Sequence, residues 1–197
     1  MIKTFDVATI RKDFPIFETG IAYLDSANTS QRPRQVTGAM MEYFEKFNSN
    51  IHRAAYRIAE EATLRYEATR EKVRELINAA STKEIIYTRG TTEAINLVAY
   101  SWGRKNIKKG DLIVLTILDH HSNIVPWQIL AAANGATIEY VDIDERGELR
   151  LDQFHELLKR SPKLVAFGQV SNALGTINPA REMVAAAKAA GVGRDRG

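Results

Sequence analysis

The chain has 197 residues, with 27 lysines and arginines against 24 aspartates and glutamates, giving a formal net charge of +3. Its hydrophobic share of 45% and charged share of 26% are ordinary for a globular protein, which excludes long disordered stretches. It contains no cysteine, so disulfides, cysteine-ligated zinc and a cysteine nucleophile are excluded within these residues. The length indicates one domain or slightly more.

Membrane and nucleic-acid functions are not expected. No apolar run reaches the roughly 18 residues that a membrane helix needs. The first residues lack the apolar core of a secretory signal. Basic residues are spread along the chain instead of clustering, so no nucleic-acid partner is expected. The composition therefore predicts a soluble protein of the cytoplasm.

The first third of the chain is predicted to be mainly helical. A short apolar stretch, Ile21–Asp25, precedes the polar turn Ser26–Arg32. Pro33 is predicted to open a helix that runs to about Phe47, since proline suits the first helical turn. A longer amphipathic helix is predicted over about Arg53–Ala80, because its apolar residues recur every three or four positions.

From about residue 84 onward, short β-rich runs alternate with helical stretches. This alternation is typical of βαβ units, and it predicts an α/β fold with a mainly parallel sheet flanked by helices. The predicted strands are Glu84–Thr88, Asp111–Thr116, Ala136–Asp142 and Lys163–Val170, and the predicted helices are Thr91–Asn106, Asn123–Asn134 and Leu151–Arg160.

The first candidate site follows the run Glu84–Thr88. Gly90, Thr91 and Thr92 stand where a helix begins. Free backbone N–H groups at a helix start, together with two hydroxyls, suit an anion of the size of a phosphate. The alternative is that Thr91 or Thr92 only caps the helix.

Two further candidates follow later strands. His120 comes after the strand that ends near Thr116, and Asn172 comes after the run Lys163–Val170. Parallel sheets bind ligands at the carboxyl ends of their strands, so these side chains are predicted to share one edge with the Gly90–Thr92 turn. The alternatives are a loop histidine without a role and an asparagine that only serves its turn.

The pair His52-Arg53 is the fourth candidate. Its arginine would favour a carboxylate or a phosphate, and the alternative is a surface pair without a target. A metal site is not expected, because metal binding needs several convergent ligands and the whole chain has four histidines.

Together these stretches resemble a known family. They are similar to the class V aminotransferase-like cysteine desulfurases, specifically the group that supplies sulfur for iron–sulfur cluster assembly. The resemblance runs from about Phe14 to about Val192. The stretches that carry it are Leu24–Ala27, His52-Arg53, Arg89–Ala99, His120–Gln128 and Val170–Thr176.

The resemblance implies a fold, a coenzyme and a reaction. The fold would be the type I fold of pyridoxal 5′-phosphate (PLP) enzymes, of which this chain would form an incomplete part. The full-length protein would be a homodimer. The reaction would convert L-cysteine, or selenocysteine, to L-alanine and pass persulfide sulfur to an acceptor protein. Residues 1–50 would contribute to the small domain and the substrate side, and residues 51–197 would form the amino-terminal part of the PLP-binding large domain.

The resemblance also implies site roles. Thr91 and Thr92 would hold the PLP phosphate. His120 would stack on the pyridine ring and assist proton transfers, and Asn172 would hydrogen-bond the ring hydroxyl. His52 and the turn that ends at Asn28 would line the substrate side.

The sequence departs from the family pattern at four positions. Asn28 stands where the family usually has a small alanine. Ala54 and Tyr56 replace a glycine and a histidine, and Asp119 replaces a glutamate. Because three of these bear on the substrate pocket, another class V enzyme stays open as an alternative: an aminotransferase, a kynureninase-like lyase or an epimerase.

The resemblance places further elements after Val192. They are an aspartate for the pyridinium nitrogen, the Schiff-base lysine, a reactive cysteine and a substrate-binding arginine. We therefore expect the chain to be inactive alone, or to be a non-catalytic binding fragment. When this segment is expressed alone, we expect an open sheet edge to make it poorly soluble. The polar tail Gly193–Gly197 stands where the resemblance places a buried strand, as a frameshift would produce.

Overall fold

The computed structural model describes residues 5–53 and 55–193, so Ala54 and the tail 194–197 lie outside the described residues. The chain forms two compact units, one ending at Tyr87 and the other beginning at Thr88. The predicted boundary near residue 50 concerns domains of the longer family fold and stays a prediction.

The first unit is helical in its described part. It consists of α1 (Val7–Arg11), a 3₁₀ turn (Pro15–Thr19), α2 (Arg34–Glu42) with a π turn (Tyr43–Phe47), α3 (Arg57–Leu76) and a second 3₁₀ turn (Thr82–Glu84). Pro33 is the extended N-cap of α2, which confirms a helical segment up to Phe47 that begins one residue later than predicted.

Helix α3 is shorter than predicted at both ends. It begins after Tyr56, which is extended, and it ends before Asn78, which has a φ of 54°. Asparagine tolerates this left-handed conformation better than most residues, and the conformation stops a helix. Only part of the predicted apolar face of α3 is buried: Ala62 is buried, whereas Leu76, at the end of the helix, is 84% exposed.

The predicted strand Glu84–Thr88 is wrong. The structure has a 3₁₀ turn over Thr82–Glu84, and the following residues form no ladder with any strand in the described part of the chain. Instead, the guanidinium of Arg70 donates a hydrogen bond to the carbonyl of Ile85. A β-rich run becomes a strand only when a neighbouring strand takes its backbone groups.

The second unit contains a parallel three-stranded sheet in the order β2-β1-β3. The strands are β1 (Leu112–Thr116), β2 (Thr137–Val141) and β3 (Leu164–Val165). The helices are α4 (Thr91–Val98), which continues through a π turn (Ala99–Gly103) into α5 (Arg104–Asn106), then α6 (Val125–Asn134), α7 (Leu151–Lys159) and α8 (Ala180–Ala189).

The structure confirms the first two of the predicted strands in this unit and shortens the third. β1 and β2 lie within the predicted runs, whereas β3 has two residues in place of the predicted Lys163–Val170. The end of that run turns away, because Val170 forms an antiparallel bridge with Ile177. The mainly parallel sheet flanked by helices is thus confirmed.

Strand β1 is the centre of the core. Its side chains alternate between the two faces of the sheet, as in any strand. On one face Val114 packs with Phe154 and Met183, and on the other Leu115 packs with Trp127. Burying each such side chain contributes about 1.5–3 kcal/mol. This packing fixes the carboxyl end of β1, from which the His120 loop departs.

Candidate functional site

Helix α4 begins without a side-chain cap. Its N-cap is Gly90, and the carboxylate of Glu93 turns back to accept the backbone N–H of Arg89 at 2.6 Å. The hydroxyls of Thr91 and Thr92 are exposed and make no hydrogen bond to the described residues. The alternative that a threonine merely caps this helix is therefore wrong.

The same helix start is open to a ligand. A Cβ placed on Gly90 would meet no atom within 4 Å, so the backbone there faces free space. The first hydrogen bond of the helix is the one from the N–H of Ala94 to the carbonyl of Gly90. The preceding N–H groups, the positive end of the helix dipole and two hydroxyls together can bind a phosphate.

The loop after β1 is braced by a chain of side-chain hydrogen bonds. The hydroxyl of Thr116, a buried residue, donates to the carboxylate of Asp119. Asn123 Nδ2 donates to Asp119 Oδ1 at 3.1 Å, and Trp127 Nε1 donates to Asn123 Oδ1 at 3.1 Å. Because Thr116 and Trp127 belong to the core, this chain ties the loop that carries His120 to rigid elements.

His120 is the N-cap of a short 3₁₀ helix, His121–Asn123. Its ring is exposed, and its Nδ1 atom accepts the backbone N–H of Ser122 at 3.1 Å. The ring of His121 meets it edge-on, with the centroids 6.1 Å apart. Its Nε2 atom makes no hydrogen bond to the described residues, so this edge of the imidazole is available to a ligand.

Asn172 lies at the tip of a tight turn. Ser171 Oγ accepts the backbone N–H groups of Ala173 and Leu174, and the N–H of Gly175 donates to the Ser171 carbonyl at 2.9 Å. Ser171 therefore already has its hydrogen-bond partners within the turn. The Asn172 amide is exposed and makes no hydrogen bond to the described residues. The turn therefore presents an amide that can both donate and accept.

Contacts inside the second unit bring these segments next to one another. Helix α4 lies against the 3₁₀ helix that follows His120. On the other side, Gly168 approaches the His120 loop so closely that a Cβ there would be 3.1 Å from Asp119 Oδ1. Gly168 lies four residues before Asn172 in the chain, so the segment that leads to the Asn172 turn also contacts the His120 loop.

Asn28 and His52 belong to the first unit. Asn28 closes the turn from Asp25, with its Nδ2 donating to the Asp25 carboxylate at 3.2 Å. His52 has a φ of 69°, an uncommon conformation for a side-chain-bearing residue, and its Nε2 lies 3.4 Å from Glu67 Oε1. Strained backbone of this kind is found disproportionately at functional sites.

Sequence reasoning missed the residues that support His120. Ser122, Asn123 and Trp127 were not predicted to act on the histidine, and Asp119 drew notice only as a departure from the family pattern. A signal was present in the spacing, because Asp119, Asn123 and Trp127 are each four residues apart and can hydrogen-bond along a helical path.

The described residues hold no cluster of three or more histidine, aspartate or glutamate side chains arranged for a metal ion. Across residues 5–53 and 55–193, no helix is both long and apolar enough to cross a bilayer.

With this fold and this site, the chain belongs to the aminotransferase class-V family, whose pattern it matches over residues 22–193. It is 51% identical to a cysteine desulfurase of Synechococcus elongatus, over 91% of this chain and 30% of that protein. It is 50% identical to a probable cysteine desulfurase of Synechocystis, over 93% of this chain and 45% of that protein.

Solved structures agree with the sequence relatives. A cysteine desulfurase from Thermococcus onnurineus superposes with a TM-score of 0.89 at 38% identity, covering 98% of this chain and 47% of that one. The cysteine desulfurase CsdA of Escherichia coli superposes at 0.83 and 36% identity, covering 95% and 47%. The chain thus has the type I fold of PLP enzymes in part, and it spans under half the length of these relatives.

Proposed function

We propose that the chain is the amino-terminal, coenzyme-binding part of a PLP-dependent cysteine desulfurase. The observation that carries this proposal is the uncapped start of α4, where the hydroxyls of Thr91 and Thr92 lack partners among the described residues. This helix start belongs to a chain that is 51% and 50% identical to two relatives named as a cysteine desulfurase and a probable cysteine desulfurase. The proposal includes sulfur supply for iron–sulfur cluster assembly, a cytoplasmic location, a homodimer and a sulfur-acceptor protein.

The donor set fits the coenzyme. Thr91 and Thr92 would hold the phosphate with their hydroxyls and with the backbone N–H groups beside them. His120 would stack on the pyridine ring, and Asn172 would hydrogen-bond the ring hydroxyl. When bound, PLP supplies an electron sink for the carbanion that forms at the substrate α-carbon.

This chain's own residues then have binding and orienting roles. The hydroxyls and N–H groups at the start of α4 fix the coenzyme at its charged end. His120, on a loop braced through Asp119, would stack its imidazole on the pyridine ring and would exchange protons there. Asn28 and His52 are proposed for the substrate side.

The sulfur step itself uses groups that this chain does not supply. In the proposed reaction the Cβ–S bond of L-cysteine breaks, a cysteine thiol takes the sulfur as a persulfide, and L-alanine leaves with the carbon skeleton. The 197 residues contain no cysteine, so the proposal gives this chain the binding part of the chemistry and expects it to be inactive alone.

Two positions support a second candidate, another class V enzyme such as an aminotransferase, a lyase of the kynureninase kind or an epimerase. Asn28 is tied to Asp25, and Tyr56, which replaces a histidine of the family pattern, pairs its hydroxyl with Ser49 Oγ at 2.6 Å. Both contacts lie in or next to the segments proposed for the substrate side.

Coenzyme binding is tested by calorimetric titration with pyridoxine 5′-phosphate, which has no aldehyde and so cannot react with surface lysines. We expect Thr91→Val and Thr92→Val each to weaken binding about tenfold or more, the value of a hydrogen bond to a charged group. Thr137→Val, an exposed threonine at the far end of the sheet, is the matched control. Equal affinity for pyridoxine without phosphate would overturn the proposal.

The reaction is tested with the protein expressed from the complete gene. A desulfurase forms alanine and sulfide from L-cysteine in equal amounts under reducing conditions. Amino transfer to a keto acid, without sulfide, would favour the second candidate.

Asn172→Ala should weaken pyridoxine 5′-phosphate binding while leaving inorganic phosphate binding unchanged, because only the ring hydroxyl loses its partner.

A further inference from the structure

The Nδ1 atom of His120 has two contacts, and both come from Ser122. The backbone N–H of Ser122 donates to Nδ1 at 3.1 Å, and the Ser122 hydroxyl lies 2.9 Å from the same atom. A backbone N–H can only donate, so Nδ1 must be the acceptor. In a neutral imidazole whose Nδ1 accepts, the proton is carried by Nε2.

We infer that Ser122 is a positioning residue that fixes neutral His120 in its Nε2–H tautomer. Nε2 is then the atom through which this ring exchanges a proton with a bound coenzyme or substrate. The inference rests on the proposed function for its chemical meaning, but the tautomer is a property of the chain alone.

The backbone around the ring keeps this contact in place. The N–H of Asn123 donates to the His120 carbonyl at 2.8 Å, and the Asp119 carboxylate ties the loop to the end of β1. The neighbouring His121 lies on the same turn and is exposed, and its ring makes no hydrogen bond to the described residues. His121 is therefore an internal reference for a histidine whose tautomer nothing fixes.

The backbone N–H is the part of this contact that selects the tautomer, because it can only donate. The hydroxyl can donate to Nδ1 or accept from Nδ1–H, so it does not discriminate between the two forms. Ser122→Pro removes the N–H, whereas Ser122→Ala removes only the hydroxyl. The loss of one hydrogen bond corresponds to about a fivefold change in an equilibrium. The ratio of Nε2–H to Nδ1–H tautomer in His120 should fall by that factor in Ser122→Pro and should not fall in Ser122→Ala.

The test is nitrogen NMR of the coenzyme-free 197-residue chain, labelled with ¹⁵N at histidine, with the rings in their neutral form. We expect a higher Nε2–H fraction in His120 than in His121, a roughly fivefold lower tautomer ratio in Ser122→Pro, and no decrease of the ratio in Ser122→Ala. Ser101→Ala, which deletes a serine hydroxyl bonded to the Leu97 carbonyl, should leave the ratio unchanged.

A dominant Nδ1–H tautomer in the unsubstituted chain would overturn the inference, and so would an unchanged ratio in Ser122→Pro. Both results are read without coenzyme. They are therefore distinguishable from a failure of the proposed function, which would show as absent pyridoxine 5′-phosphate binding with the tautomer ratio intact.

Discussion

Asn123 Nδ2 donates a hydrogen bond to Asp119 Oδ1 at 3.1 Å, and this contact closes the loop on which His120 stands. The other carboxylate oxygen accepts the hydroxyl of Thr116 at the end of β1. One acidic side chain thus joins the central strand to the turn that presents the imidazole. Removing it should affect both stability and the geometry of the site.

Asp119→Ala is expected to lower the free energy of unfolding by about 1–3 kcal/mol, because it leaves two partly buried donors without an acceptor. Urea denaturation followed by circular dichroism measures this change. Glu145→Ala, at an exposed residue with no described side-chain contact, should change stability by less than about 0.5 kcal/mol. Equal effects of the two substitutions would show that the Asp119 contacts contribute nothing.

Gly168→Ala tests the close approach on the other side of the same carboxylate. The new Cβ would lie 3.1 Å from Asp119 Oδ1 and 3.7 Å from the Val170 carbonyl, so the carboxylate must shift. We expect a loss of about 1 kcal/mol, the lower end of the cost of overpacking.

A double-mutant cycle separates this clash from any general effect of alanine. In the Asp119→Ala background the Gly168→Ala substitution should cost almost nothing, because the oxygen that it meets is gone. If the two losses of stability simply add, the carboxylate and Gly168 do not interact.

Strands β1 and β2 could be predicted because they depend on short-range patterns. β1 begins with four consecutive apolar residues, Leu112–Leu115, and Gly135, with a φ of 72°, ends α6. His120 was assigned to the ligand edge from the rule that parallel strands carry their sites at their carboxyl ends. That rule needs only the order of the elements.

The misplaced elements depend on partners that are remote in sequence. Glu84–Thr88 has the composition of a strand, but its Ile85 carbonyl is taken by Arg70. The run Lys163–Val170 is apolar from Leu164 to Phe167, yet β3 stops after Val165. Similarly, the contact between Ser122 and His120 depends on the direction of a three-residue turn, which residue types alone do not specify.

The left-handed backbone of His52 predicts different free energies of unfolding for two small substitutions at this position. With a φ of 69°, any residue with a Cβ is strained there, whereas glycine is not. His52→Gly should therefore be more stable than His52→Ala by about 1 kcal/mol, although both lose the contact with Glu67. Thermal or urea unfolding of the two variants measures the difference, and an alanine variant as stable as the glycine variant would contradict it.

Stability should fall in acid partly through Asp144, in the turn between β2 and α7. The backbone N–H of Glu148 is the main cause that lowers the pKa of this carboxyl, followed by the N–H and the charge of Arg146. Because the folded pKa lies below the unfolded one, which is about 3.9, the stabilisation is fully present above that pH. It is lost as the pH falls through the folded pKa.

Asp144→Asn removes the charge but keeps an oxygen that can accept both N–H groups. We therefore expect the wild-type chain to lose stability more steeply than Asp144→Asn between about pH 5 and pH 2, and the two curves to converge at the acid end. Urea midpoints measured across this range give the comparison. Glu145→Gln, at an exposed residue with no described side-chain contact, is the control, and its curve should run parallel to the wild-type curve. Parallel curves for Asp144→Asn would show that the turn derives no stability from the ionised carboxylate.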